Sequence, residues 1–244
     1  MALCLATSLL ETGGFDPKDQ MDRYCRWQEE GCLSSNGICF DIGNTVAAAL
    51  RQYRQTGDPI AGSMNPHAAG NGSIMRLAPV PMFYYPDLGA AVHYAAESSR
   101  TTHGAPECLD ACRLLAGIIY RACSGASKED VLFEESGSLQ GEPKIMAIAQ
   151  GEYRNKSIGE IRGTGYVVES LEAALWCFLH TETFEAAILK AANLGDDADT
   201  TAAVCGQVAG AYYGESGIPK KWLAKLAMRQ EILALADRLF EANR

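Results

Sequence analysis

The chain has 244 residues, of which 48% are hydrophobic and 21% are charged. These fractions are ordinary for a globular protein and exclude disordered and fibrous classes. The 21 Lys and Arg residues are outnumbered by 30 Asp and Glu, which gives a formal net charge of −9. Because nucleic-acid binding needs clustered basic side chains, we expect no nucleic-acid partner. The strongest apolar run, residues 114–120, is far shorter than the ~20 residues of a membrane-spanning helix, so we expect no membrane partner.

No repeat, low-complexity tract or linker divides the sequence, and its length suits a single domain over residues 1–244. Residues 1–10 are apolar but have no basic flank and no small-residue cleavage site, so they predict a buried helix rather than a signal peptide. The nine cysteines form no Cys-x-x-Cys pair and complete no zinc site. Free thiols in a reducing compartment are the simplest interpretation, and we expect a cytoplasmic location.

Helical patterns recur along the chain, whereas alternating runs of β-branched residues are nearly absent. Three segments rich in Gly, Asn and Pro are predicted as loops: residues 57–73, 79–86 and 151–165. The fold class that follows is all-α, without a sheet. We predict helices over residues 48–54, 88–98, 106–122, 167–179 and 184–193, and a C-terminal helix with Pro219 in its first turn.

The sharpest local signal is the acidic turn Gly-Asp-Asp-Ala-Asp-Thr at residues 195–200, between two predicted helices. Asp199 or Thr200 could cap the second helix, but capping needs only one such residue. Three carboxylates within four residues repel one another unless a cation lies between them. Carboxylate and hydroxyl oxygens suit Mg²⁺ or Mn²⁺ rather than zinc, so the turn predicts a divalent-metal site.

Three further segments could carry chemistry, although each alone is more often purely structural. The sequence Gly-Asn-Gly-Ser at residues 70–73 offers backbone N–H groups that can hold a phosphate, yet it is commonly just a turn. Asp41 comes before a glycine turn and a helix start, where an acidic residue near a cap is the plain alternative. Thr102 and His103 precede the predicted helix at residue 106, and a lone histidine is usually structural.

Taken together in this order, the segments resemble the ADP-ribosylglycohydrolase family, the group of the dinitrogenase reductase-activating glycohydrolases. The resemblance runs from Met1 to about Leu239. The tyrosine that precedes the late signature of this family is matched by Tyr166. The family motifs Asp-x-Gly-x-Thr, Gly-Asn-Gly-x-x-Met-Arg, Thr-His and Gly-Asp-x-Asp-Thr match residues 41–45, 70–76, 102–103 and 196–200, and the small-residue helix after them matches residues 206–214.

This resemblance implies a compact, roughly orthogonal all-α domain with two Mg²⁺ or Mn²⁺ ions in a central cleft. It also implies hydrolysis of the bond between C1″ of ADP-ribose and a modified side chain, commonly arginine and in some branches serine. The implied partner is an ADP-ribosylated protein or a small ADP-ribosyl compound.

Site residues are implied in the same way. The metal ligands would be Asp197, Asp199 and Thr200, and Asp41 would be the catalytic carboxylate beside the ribose, as base, acid or anchor. Substrate-binding residues would be Gly70, Asn71, Gly72 and Ser73 at the diphosphate, with His103 and Tyr166 on the ribose and adenine side.

Two departures from the family pattern are expected to matter. Asp196 stands where the family usually has glycine, and its extra charge would tighten cation binding or distort the turn. The family also has a Thr-Asp-Asp-Thr motif, which supplies the other half of its metal site, directly before a helix that resembles residues 1–6. Since this sequence starts after that position, we expect the first helix and half of the metal ligands to be absent and activity to be impaired.

Three functions are compatible with the sequence. The leading prediction is a metal-dependent hydrolase that removes ADP-ribose. A catalytically inactive ADP-ribose-binding module would keep the glycine-containing loop, His103 and Tyr166 without turnover. A purely structural helical protein would need neither that loop nor the acidic turn. The residues by themselves indicate only an acidic divalent-metal site beside a glycine loop.

Overall fold

The computed structural model describes residues 1–133 and 141–242. Within these ranges the secondary structure is helical, and the β-type pairings are two isolated bridges, which confirms the all-α prediction. None of the helices described is both long enough and apolar enough to cross a lipid bilayer. The helices are α1 (Ala2–Thr12), α2 (Pro17–Glu30), α3 (Asn44–Thr56), α4 (Pro79–Tyr84), α5 (Leu88–Arg100), α6 (Pro106–Cys123), α7 (Lys128–Phe133), α8 (Pro143–Ala149), α9 (Val167–Leu179), α10 (Phe184–Ala192), α11 (Ala198–Tyr213), α12 (Lys220–Leu223) and α13 (Arg229–Glu241).

The main core is built around α6 and α9, which contact each other and α11. Both helices bury apolar side chains around most of their circumference, as expected for helices enclosed by others. Leu115 and Ile118 of α6 and Leu171 and Phe178 of α9 are fully buried. This packing fixes the N-terminal ends of α6, α9 and α11, which lie beside the candidate site.

A second, smaller apolar cluster lies among α1, α2 and α3 and includes Met21, Tyr24 and Leu50. Helix α1 belongs to both clusters, because Cys4 contacts the smaller one while Leu5 belongs to the main core. The predicted apolar helix at residues 1–10 is confirmed and joins the two parts of the fold.

Local sequence explains where several helices begin and end. The Asp16 carboxylate accepts hydrogen bonds from the backbone N–H groups of Lys18 and Asp19 at the start of α2. At its other end Gly31 has φ +68°, and a Cβ there would lie 2.0 Å from the carbonyl oxygen of Gly37. Only glycine fits that conformation and that close approach.

Two sequence predictions of secondary structure are wrong. Residues 79–86 were predicted as a loop but contain α4, because Pro79 and Pro81 occupy its first turn, where no backbone N–H is needed. The C-terminal pattern does not form one helix from Pro219: α12 ends at Leu223, and α13 starts after Met228, whose φ is +56°. The other two predicted loops are irregular apart from short 3₁₀ turns, as expected.

Candidate functional site

A cavity of about 600 Å³ lies between the helices of the smaller cluster and the N-terminal ends of the main bundle. Its volume is typical of sites that enclose a small ligand. The walls come from segments far apart in the sequence: the chain before α3, the glycine-containing loop, the turn before α6 and the start of α11. Of the residues predicted from the sequence, those that line it are Asp41, Gly70, Asn71, Gly72, His103, Asp197, Asp199 and Thr200.

Backbone hydrogen bonds join the loops that line this cavity. The N–H of Asn71 donates to the carbonyl of Gly165 at 3.1 Å, beside the isolated bridge that pairs Gly70 with Tyr166. The N–H of Asp197 donates to the carbonyl of Gly163 at 2.8 Å. The glycine-containing loop, the segment before α9 and the acidic turn are therefore held together by main-chain contacts.

The Asn71 side chain is hydrogen-bonded to the acidic turn. Its Nδ2 donates to Oδ2 of Asp197 at 2.7 Å and lies 3.3 Å from Oγ of Ser170. A hydrogen bond to an ionised carboxylate is stronger than one between neutral groups, so this contact fixes the orientation of Asp197. Asn71 thus links the loop to the predicted metal ligands, a role that its place in the glycine motif did not indicate.

The backbone of the loop is only partly free to hold an anion. The N–H of Asn71 is used by Gly165, and the N–H of Gly70 donates to Ala68 at 2.8 Å. Among the described residues, the N–H groups of Gly72 and Ser73 have no hydrogen-bond partner. The Ser73 side chain is buried and lines neither this cavity nor the neighbouring one. Donors for a phosphate are thus restricted to one end of the loop.

In the acidic turn, α11 starts at Ala198 and Asp197 occupies the N-cap position, so the alternative in which Asp199 or Thr200 caps the helix does not apply. Gly195 and Asp196 have φ values of +80° and +52°. This left-handed conformation is easiest for glycine and is tolerated by aspartate. The Asp196 carboxylate pairs with Arg162 at 3.5 Å and does not line the cavity, so its extra charge is directed away from the predicted metal ligands.

The acidic residues that line the cavity fit Mg²⁺ or Mn²⁺ in kind. Asp197, Asp199 and Thr200 carry carboxylate and hydroxyl oxygens and line the same cavity as Asp41. No group of three or more His, Cys, Asp and Glu side chains close enough to hold a metal occurs within residues 1–133 and 141–242. The oxygens of these residues are of the kind that hard divalent cations prefer.

His103 is almost fully buried, at 1% exposure, and packs against the glycine-containing loop. Burial, reinforced by the positive charge of Arg76, lowers its pKa to about 3, so the ring is neutral at pH 7. Its Nδ1 lies 2.8 Å from Oγ1 of Thr102. A Cβ on Gly72 would lie 3.0 Å from Cε1 and 3.1 Å from Nε2 of this ring, so a side chain there would make the ring or the loop shift by a few tenths of an ångström.

Arg76 lines the same cavity and is only 2% exposed. Its Nη1 donates to the carbonyl of Gly72 at 3.1 Å, and its guanidinium lies 4.9 Å from the ring centroid of Tyr24. Among the described residues it has no carboxylate partner within ion-pair distance. A buried, uncompensated positive charge favours an anionic ligand beside it. Sequence reasoning included Arg76 in the loop motif but gave it no role.

Tyr166 lies in a neighbouring cavity of about 560 Å³, which shares Thr45, Gly70 and Gly165 with the first. Its hydroxyl donates to Oε2 of Glu107 at 2.6 Å and accepts from Nζ of Lys144 at 2.8 Å. Burial, followed by the bond to Glu107, raises the Tyr166 pKa. Sequence reasoning missed Glu107 and Lys144 because neither belongs to a motif.

Comparisons with known proteins identify the family of this chain. The chain is 45% identical over 241 residues to the ADP-ribosylarginine hydrolase Tri1 of Pseudomonas putida (strain GB-1), covering 99% of this chain and 64% of the relative. It is 43% identical over 240 residues to the enzyme of the same name from Serratia proteamaculans (strain 568), covering 98% and 65%. The chain thus spans just under two thirds of the length of these two relatives.

A solved structure described as an ADP-ribosylglycohydrolase-related protein complex superposes with a TM-score of 0.86 at 43% identity, over 100% of this chain and 80% of that one. The family model for ADP-ribosylglycohydrolase matches residues 1–244. This chain belongs to the ADP-ribosylglycohydrolase family.

Proposed function

We propose that this chain hydrolyses the glycosidic bond between ADP-ribose and a modified acceptor, an ADP-ribosylated arginine of a protein or a small guanidino compound. The observation that carries the proposal is that one cavity is lined both by carboxylates and by a buried guanidinium. The carboxylates belong to Asp41, Asp197 and Asp199, and the guanidinium to Arg76. Both kinds of charge are needed by a ligand with an anionic diphosphate and a reacting carbon that becomes positively charged. The names of the two Tri1 relatives support the arginine acceptor.

The chemistry follows from the bond that is broken. As the bond between C1″ and the guanidino nitrogen lengthens, positive charge develops on the ribose, and nearby carboxylates stabilise it. Water supplies the oxygen that bonds to C1″, and its proton ends on the departing guanidine. Asp197 is held by Asn71 and is the carboxylate best fixed to face the ribose. Asp41 lines the cavity and has no side-chain partner among the described residues, so it is placed to take or give the proton or to anchor the ribose.

The proposal includes a divalent cation, Mg²⁺ or Mn²⁺, held by Asp197, Asp199 and Thr200. When bound, such an ion supplies positive charge that orients ribose hydroxyls and lowers the pKa of a neighbouring water. Asn71 has a second role in this arrangement, because it keeps one Asp197 oxygen engaged and leaves the other for the ion. The diphosphate would lie against Gly72 and Arg76, with His103 and Tyr166 towards the ribose and adenine.

We further propose that residues 1–244 act as one domain in the cytoplasm. Helix α1 packs into both apolar clusters, which supports a single unit. All nine cysteines are free, and four of them, Cys108, Cys112, Cys177 and Cys205, are buried in the main core, as is usual for thiols in a reducing compartment.

The test is release of ADP-ribose from mono-ADP-ribosylated arginine with Mg²⁺ or Mn²⁺, and again with EDTA. We expect release that needs the metal and that Asp197→Asn lowers by about 100-fold or more, because a carboxylate ligand is lost. Asp196→Asn is the matched control: it removes the adjacent charge, which faces Arg162 rather than the cavity, and should leave release unchanged. Equal release from wild type and Asp197→Asn would refute the metal role.

The alternative is a catalytically inactive ADP-ribose-binding module. The specific observation in its favour is that Arg76 and His103 do not depend on the acidic turn for their contacts. Calorimetry separates the two functions. Binding of ADP-ribose that EDTA does not weaken, together with no release from the arginine substrate, would establish the binding module.

A further inference from the structure

Three buried side chains form a continuous run of hydrogen bonds behind the glycine-containing loop. Nη2 of Arg76 lies 2.7 Å from Oγ1 of Thr102, and that oxygen lies 2.8 Å from Nδ1 of His103. Arg76 is 2% exposed, Thr102 0% and His103 1%, so solvent does not compete for these contacts. Nη1 of Arg76 also donates a hydrogen bond to the carbonyl of Gly72. The ring of His103 packs against the same glycine.

Counting protons along this run determines the tautomer of His103. A guanidinium carries only donors, so Oγ1 of Thr102 accepts from Arg76. The threonine hydroxyl has one proton, and its only acceptor among the described residues is Nδ1 of His103. If Nδ1 instead carried the ring proton, the hydroxyl proton of a fully buried threonine would have no acceptor, which is costly. Nδ1 therefore accepts, and the proton of the neutral ring is on Nε2.

The Nε2–H group of His103 is available to donate a hydrogen bond to a ligand. Nε2 has no hydrogen-bond partner in the part of the chain that the structure describes. It lies 3.5 Å from the position of a Cβ on Gly70 and 3.1 Å from that on Gly72, and both glycines line the larger cavity together with His103. A ring held in this way presents a fixed donor beside the two glycines.

We propose that Arg76 and Thr102 are positioning residues that hold His103 as the Nε2–H tautomer, so that Nε2 donates a hydrogen bond to an oxygen of the bound ADP-ribosyl group. The ligand in this inference rests on the proposed function, whereas the tautomer does not. Arg76 acts twice, because the same guanidinium fixes the loop carbonyl at Gly72 and orients the threonine hydroxyl.

The tautomer can be read directly in the free protein by long-range ¹H–¹⁵N correlation NMR of the full chain labelled at histidine. The sequence has four histidines, and His103→Gln assigns the relevant ring by its disappearance. We expect a single Nε2–H pattern in wild type and in Thr102→Ser, which keeps the hydroxyl. In Thr102→Val, which keeps the shape but removes the hydroxyl, we expect the averaged pattern of two tautomers.

Thr101→Val is the matched control. Thr101 is also fully buried, and its hydroxyl donates to the carbonyl of Ser98 at 2.8 Å without touching His103. This variant should lose a similar buried hydrogen bond yet keep the Nε2–H pattern. A wild-type ring protonated on Nδ1 would overturn the proposal even if no variant folds. A Thr102→Val pattern identical to that of Thr101→Val would overturn the role of Thr102.

Calorimetry with ADP-ribose tests the ligand contact. We expect Thr102→Val to bind about three- to tenfold more weakly than wild type, the range for one hydrogen bond. Thr102→Ser and Thr101→Val should stay close to wild type. Equal affinity of Thr102→Val and Thr101→Val would refute the contact. An Nε2–H pattern in a wild-type chain that does not bind ADP-ribose would refute the contact and the proposed function, while the positioning of His103 would stand.

Discussion

Gly72→Ala tests whether His103 is as rigidly held as its contacts indicate. The added methyl would lie 3.0 Å from Cε1 and 3.1 Å from Nε2 of the ring. The ring cannot swing away without breaking the 2.8 Å contact between Nδ1 and Thr102, and it is almost fully buried. Overpacking of this kind costs about 1–3 kcal/mol. At Gly70 the same methyl would meet its nearest atoms, Nε2 of His103 and Oγ1 of Thr45, at 3.5 Å, which is ordinary contact.

The pair Gly72→Ala and Gly70→Ala isolates this effect. Neither glycine has a positive φ. Both substitutions lower the conformational entropy of the unfolded chain by the same amount, so this effect on stability cancels when the two variants are compared. Urea unfolding should show Gly72→Ala less stable than Gly70→Ala by about 1–3 kcal/mol. The ¹⁵N pattern of His103 should change only in Gly72→Ala. If the two variants unfold at the same urea concentration with the same slope, the ring gives way easily, and the rigid placement inferred for it is wrong.

Two further predictions concern the same cavity. Asn71→Asp places a carboxylate where Nδ2 now lies 2.7 Å from Oδ2 of Asp197, so the two carboxylates would repel each other. This variant should therefore lower ADP-ribose release more than Asn71→Ala, which only removes the donor. The reverse order in the release assay would contradict the assigned contact. His103 has a pKa of about 3 when folded and 6.5 as its ordinary value, so the unfolded chain binds more protons below pH 6.5 and stability falls as the pH drops. Between pH 7 and pH 5 the unfolding free energy of His103→Gln should therefore fall by about 2 kcal/mol less than that of wild type, measured by urea unfolding at both pH values. The exposed His93→Gln serves as its control, and equal losses in all three chains would show that His103 is not buried in the neutral form.

Much of the fold follows from local sequence. The apolar stripes at residues 106–122 and 167–179 predict α6 and α9, because helix formation depends on the spacing of nearby residues. The same local reasoning fails where one signal has two meanings. Proline marks both loops and first helical turns, so α4 was missed. The break between α12 and α13 falls at Met228, where φ is positive although the residue is neither glycine nor proline, so no signal in the sequence marks it.

For the candidate site, sequence motifs supply the residue types and the tertiary structure supplies the partners. The acidic turn, Asp41 and His103 could be named from the sequence because carboxylates, hydroxyls and imidazoles have recognisable chemistry in short motifs. The residues that these side chains contact could not be named in the same way. Asn71 meets Asp197 across 126 positions, and Tyr166 meets Glu107 across 59.

The resemblance grouped Tyr166 with His103 on the ribose and adenine side. In the structure His103 lines the larger cavity together with the acidic turn, whereas Tyr166 lines the neighbouring cavity. The sequence alone determined an all-α chain with an acidic turn and a glycine-containing loop, because both depend on neighbouring residues. Only the packed bundle decided that Asn71 orients Asp197 and that Arg76 and Thr102 orient His103. Hydrogen bonds between distant residues exist only once the helices that carry them have packed.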